Sequence, residues 1–149
     1  MTKPKIPVYE QALKYLNIKM YSEADLTLRL SRKGYDTAEI DGVIADLKRS
    51  GAIDDRKYAE IYIQNLIDYR TFGYYGVRNK LIQKRLPKNL VDSLLKRFLN
   101  DEVESGIAQK FLERAVNKSR SKESLIRAMK QKGYRTSVIL EVLKTHRKR

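Results

Sequence analysis

One feature constrains this 149-residue chain more than any other: the sequence repeats itself. Set 99 positions apart, Ser22–Leu47 and Ser121–His146 match at Ser22/Ser121 and Leu26/Leu125. Lys33-Gly34-Tyr35 falls on Lys132-Gly133-Tyr134, and Thr37, Ile40 and Val43 fall on Thr136, Ile139 and Val142. Leu30/Met129 and Ile44/Leu143 are apolar exchanges. Agreement at one spacing, with apolar phase and turn both kept, marks a structural repeat. A middle copy lies 51 positions from the first, with Val77 on Leu26, Leu81 on Leu30, Lys84 on Lys33, Val91 on Ile40 and Leu94 on Val43. It is the most diverged copy: Arg85-Leu86 stands in place of Gly34-Tyr35, and Pro87 in place of Asp36.

Each copy reads as three helices. Ser22 is a good N-cap, and Leu26 and Leu30 share the face of the helix that follows. That helix stops at Gly34, a residue that accepts the left-handed conformation of a C-cap. Asp36, with Glu39 three residues later, resembles a capping box for the next helix. Ile40, Val43, Ile44 and Leu47 continue it with the 3-4-7 spacing of an apolar stripe. In the middle copy Pro87 belongs to a first helical turn, where a missing N–H costs nothing. The first helix of each copy is less alike but keeps an i, i+4 ladder: Val8, Ala12 and Leu16; Tyr58–Ile67; and Val103–Ala115. The expectation is an all-α protein of three tandem three-helix repeats, about nine helices, at 1–53, 54–100 and 101–149. Units of this size bury little alone and lean on their neighbours, so an elongated, curved array is expected.

Composition narrows the function. There are no cysteines and one histidine, which excludes disulfides, thiolate catalysis and Cys- or His-rich metal sites. No apolar run reaches the ~20 residues of a membrane span. No apolar segment follows Met1–Lys5, so a signal peptide is not expected and the chain reads as cytoplasmic. No Walker loop or Gly-rich strand–helix turn is present, and His146, read as exposed in the basic tail, lacks an orienting partner. Neither an enzyme nor a cofactor is expected. Asn117-Lys118-Ser119 matches a glycosylation triplet, which carries nothing in the cytoplasm.

The net charge is +14, and it is unevenly spread. Residues 1–69 balance, while 70–99 and 100–149 carry a net +7 each. That asymmetry points to a polyanion partner for copies two and three. The candidate contacts are Arg70, Arg78, Lys80, Lys84, Arg85 and Lys88, and then Arg127, Lys130, Lys132 and Arg135. A solvated charge is the other reading of each, and the cluster is a better candidate than its members. Tyr74 interleaves with Arg70 and Arg78 and could stack a base or pack beneath a loop. Phe72 is expected to pack, and Tyr35 and Tyr134 to act as core or C-cap contacts.

The junction between copies one and two, Gly51-Ala52-Ile53-Asp54-Asp55-Arg56-Lys57-Tyr58-Ala59, reads physically as a helix stop, an apolar staple and an acidic cap. Two adjacent carboxylates without further ligands make a poor metal site. The run of Gly51, Ile53, Asp54, Asp55, Tyr58 and Ala59 closely resembles the signature of the bacterial RecX regulatory proteins. Ser22…Leu26…Leu30…Lys33-Gly34 and Gly73-Tyr74-Tyr75-Gly76-Val77 are similar to that family's first- and second-repeat patterns. Arg85 departs from the family's glycine. The resemblance covers roughly residues 8–146. It implies a monomeric nine-helix modulator that binds the groove of the RecA–DNA filament and restrains filament growth, ATP hydrolysis, strand exchange and LexA cleavage. It also implies non-specific binding to single- and double-stranded DNA. The competing expectation is a helix-turn-helix protein acting on DNA alone. The acidic 36–49 helix, with Asp36, Glu39, Asp41 and Asp46, disfavours that reading.

Overall fold

A computed structural model describes residues 6–116 and 121–147. Residues 1–5, the Asn117-Lys118-Ser119 triplet and the last two residues of the basic tail lie outside the described residues. Among the described residues there are nine helices and no strand. They are α1 (Val8–Ile18), α2 (Glu23–Lys33), α3 (Thr37–Ser50), α4 (Asp55–Tyr69), α5 (Tyr74–Gln83), α6 (Lys88–Phe98), α7 (Asp101–Val116), α8 (Lys122–Gln131) and α9 (Thr136–Arg147).

Local chemistry sets the ends of these helices. The hydroxyls of Ser22 and Ser121 accept from the N–H of Asp25 and Ser124, each at 3.1 Å, capping α2 and α8 alike. Asp36 caps α3 by accepting from Glu39 N–H at 2.8 Å. At the far end of α2, Tyr35 N–H reaches back to the Leu30 carbonyl; Tyr134 N–H makes the equivalent bond to Met129. The residue ahead of Tyr35, Leu86 and Tyr134 is left-handed in all three copies: Gly34 (φ 110°), Arg85 (φ 60°) and Gly133 (φ 88°). Arg85 therefore holds a conformation that costs an ordinary residue about 1 kcal/mol. Pro87 stands one residue ahead of the first turn expected of it, as the N-cap of α6.

The chain packs as two compact units. One takes the described residues through Glu60 together with Lys84–Leu86; the other takes Ile61–Gln83 and the described residues from Pro87 onward. In the first, α1, α2 and α3 enclose Ala12, Tyr21, Leu26, Leu30, Tyr35, Ile40, Val43, Ile44, Leu47 and Ile53. This set includes every apolar position of the repeat pattern. In the second, α7 packs on α9 and α5 on α6, with Val77, Leu81, Leu94, Leu112, Met129 and Ile139 wholly or almost wholly buried. Each such side chain contributes about 1.5–3 kcal/mol by leaving water.

Candidate functional site

The signature segment acts first as a clasp. Gly51 ends α3 in the left-handed conformation (φ 78°), and the N–H of buried Ile53 returns to the Leu47 carbonyl at 3.3 Å. Asp54 caps its own helix, α4, accepting from Lys57 N–H at 3.2 Å. Asp55 leaves its own helix and accepts from the Glu23 N–H at 2.8 Å, the first free donor of α2. The two carboxylates thus serve two helices. Burial, with the nearby charges of Glu23 and Asp54, pushes the Asp55 carboxyl above its ordinary value, against the Glu23 hydrogen bond and Lys48. Tyr58 is half-buried and Ala59 fully buried. No group of three or more ligating side chains that could hold a metal ion occurs among the described residues.

The same unit holds the α5–α6 turn. Ser22 Oγ, which accepts from Asp25, donates to the Lys84 carbonyl at 2.8 Å, and Arg85 Nε lies 3.6 Å from Asp25 Oδ1. Leu86 is buried.

An equivalent clasp stands in the second unit. Gly73 N–H donates to the Lys132 carbonyl at 2.9 Å and Tyr75 N–H to the Gly133 carbonyl at 2.8 Å. Gly73 and Lys132 are the repeat equivalents of Ser22 and Lys84, so the same carbonyl position accepts in both clasps, from a hydroxyl in the first and from a backbone N–H in the second. The backbones touch: a Cβ on Gly76 would stand 2.3 Å from the Lys132 carbonyl oxygen, and one on Gly133 2.1 Å from Gly76 N. The Tyr134 hydroxyl donates to the Thr71 carbonyl, as Tyr35 does to Ile6. The part of Asp55 is taken by Glu104, whose side chain is fully buried. Its carboxylate accepts from Tyr74 N–H (2.8 Å), Arg135 N–H (3.1 Å) and Arg135 Nε (2.6 Å). It thereby serves the first residue of α5 and the residue just ahead of α9 at once. Burial alone would lower the Arg135 guanidinium; the Glu104 hydrogen bond and charge, with Asp101 and Tyr74, instead hold it above its usual value.

The sequence-derived cations divide by what holds them. Arg135 is bound to Glu104 and, at 2.9 Å, to Asp101, and its guanidinium lies 4.5 Å from the Tyr74 ring centre. One face of Tyr74 is therefore occupied. Arg78 pairs with Asp92 at 3.4 Å and Arg85 with Asp25. Lys84 is half-buried. Lys80 and Lys132 bring their ammoniums to 5.3 and 4.6 Å from the ring centre of Phe72, which is half-buried as expected. Arg70, Lys88, Arg127 and Lys130 are exposed. Sequence reasoning missed Glu104 and Asp101. The signal was there: Glu104 lies three and four residues before Ile107 and Ala108, on the buried stripe of α7. His146, read from the sequence as exposed, is half-buried, and its Nδ1 has no hydrogen-bond partner among the described residues.

Comparison with known proteins places this geometry among relatives. Residues 9–47 match the family model described as RecX, first three-helix domain. The chain is 28% identical over 141 residues to the regulatory protein RecX of Chlorobaculum tepidum, covering 94% of this chain and 88% of that protein. It is 30% identical over 138 residues to the regulatory protein RecX of Limosilactobacillus reuteri, covering 87% of this chain and 51% of that one. The corresponding protein of Lactococcus lactis is 28% identical over 135 residues, 85% of this chain and 50% of its own length. The chain thus spans about half the length of several curated relatives it matches. The crystal structure of RecX from Lactobacillus salivarius superposes with a TM-score of 0.86 at 19% identity, covering 93% of each chain. At that identity it bears on the fold.

Proposed function

The chain belongs to the RecX family, and we propose that it regulates recombination by binding the RecA–DNA filament and restraining its recombinase, ATPase and coprotease activities. It acts without catalysis or cofactor, as a cytoplasmic monomer of three repeats at 1–53, 54–100 and 101–149. The carrying observation is a match along nearly the whole chain to regulatory RecX proteins, with the signature residues used as interlocking helix caps.

Non-specific contacts to single- and double-stranded DNA go through the basic residues of repeats two and three. Arg70, Lys88, Arg127 and Lys130 lead, being exposed. Lys80 and Lys132 follow, presented by the Phe72 ring. Arg78, Lys84, Arg85, Arg135 and Tyr74 contribute less, since they are half-buried or already engage partners within the fold. Phosphate contacts of this kind give affinity without reading sequence and weaken with salt. Against a stand-alone helix-turn-helix protein, the exposed face of α3 carries Glu39, Asp41 and Asp46, which repel a phosphate backbone. The test is RecA-driven ATP hydrolysis on single-stranded DNA, titrated with this protein at sub-stoichiometric amounts. Inhibition is expected; no effect, together with tight sequence-specific duplex binding, would overturn the reading.

A further inference from the structure

Residues 1–69, neutral in sum, hold a cationic hollow that the sum conceals. A cavity of about 340 Å³ opens between the end of α1 and one face of α2. Lys19, Arg29, Arg32 and Lys33 line it, with Tyr15, Tyr21, Leu28 and one acid, Asp25. Asp25 is already paired with Arg85. The position of two cations is fixed by rings: Lys19 Nζ lies 4.8 Å from the Tyr21 ring centre, and the Arg29 guanidinium 5.0 Å from that of Tyr15. Cations held this way lose less freedom when they meet an anion. Complementing a helix C-terminus accounts for Arg32 and Lys33 in the last turn of α2, but not for Arg29 in its middle.

We propose that this hollow binds an extended acidic peptide segment of a protein partner. The chemistry selects that occupant over nucleic acid. Stacking a base needs an open ring face. Tyr21 is buried, and Tyr15 has Arg29 on its ring and Tyr21 6.2 Å away. A duplex is a stiff convex rod and does not enter a concavity of this size. Leu28 gives the cavity an apolar wall, which suits a peptide that alternates acidic and apolar side chains. The inference goes beyond the RecA reading and does not need it, because binding is measured on the isolated chain.

The test is fluorescence anisotropy of a short end-blocked peptide of alternating Glu and Leu, run beside a single-stranded oligothymidine of equal charge. The proteins are wild type, Lys19→Glu with Arg29→Glu, Arg32→Glu with Lys33→Glu, and the control Lys14→Glu with Lys57→Glu. The second pair is exposed and keeps the test valid should the first pair disturb the fold. The expected result is peptide binding by wild type, weakened about tenfold or more by reversal in the hollow and changed less than about twofold by the control. Oligothymidine affinity should not depend on the Arg32 and Lys33 reversal beyond the loss seen in the control. Absent peptide binding, an equal loss in the control, or a selective loss of oligothymidine binding would each overturn the proposal.

Discussion

At Glu104 a carboxylate with no exposed surface accepts three hydrogen bonds, two of them from Arg135. A charge so placed is tolerated because each donor is fixed by the fold. Glu104→Ala leaves a half-buried guanidinium and two helix-end donors without this acceptor, and should cost about 3–5 kcal/mol in urea denaturation. Glu104→Gln keeps the acceptor oxygen but turns an amide toward Arg135, so an intermediate loss is expected. An alanine variant within about 0.5 kcal/mol of wild type would show that the node is dispensable. Beside it, burial and then Glu104 push the Tyr134 phenol upward. The folded chain holds that proton more tightly than the unfolded chain, so this contribution is complete below about pH 10 and is lost as pH rises above it. Tyr134→Phe loses the bond to the Thr71 carbonyl, about 1 kcal/mol at neutral pH. The stability gap between wild type and variant should narrow when denaturation is repeated above pH 10. A gap independent of pH would contradict the shift.

At the scale of elements, the helices were legible because the sequence states their rules locally: Ser22 and Ser121 as caps, Gly34 and Gly133 as stops, Ile40–Leu47 as a stripe. Their interlocking was legible only in part. The signature showed that Asp54 or Asp55 caps a helix; only the fold shows that Asp55 serves α2, since its partner Glu23 lies 32 residues away. Gly133 read as a turn glycine, and Gly73 and Gly76 stood out only within the family pattern, whereas their shared role is backbone contact across more than fifty residues. Contacts of that separation leave no periodic trace. The candidate cations show the same limit, because Arg135 and Lys130 look alike in sequence and only packing assigns Arg135 to Glu104. A glycine scan separates the two kinds of position. Gly133→Ala, with a left-handed backbone and a Cβ 2.1 Å from Gly76 N, should cost about 3 kcal/mol or more or prevent folding. Gly42→Ala, inside α3 with nothing within 4 Å, should stabilise by up to about 1 kcal/mol. Thermal melts of both variants check this, and equal effects would contradict the close-contact account.

For the molecule as a whole, charge is divided by use as well as by position. The excess of +14 lies in residues 70–149, yet several of those cations pair within the fold, while residues 1–69, neutral in sum, gather four around one hollow. Net charge per segment located the basic half and missed the hollow, because Asp36 at the cap of α3 and Glu39, Asp41 and Asp46 on it cancel in a sum what they do not neutralise in space. The central claim is that the exposed cations of repeats two and three carry the regulatory contact. The direct measurement is RecA ATP hydrolysis on single-stranded DNA, titrated with wild type and with Arg70, Lys88, Arg127 and Lys130 all changed to Glu. The account predicts sub-stoichiometric inhibition by wild type and a loss of potency of about tenfold or more in a variant that melts as wild type does. Equal potency would contradict it.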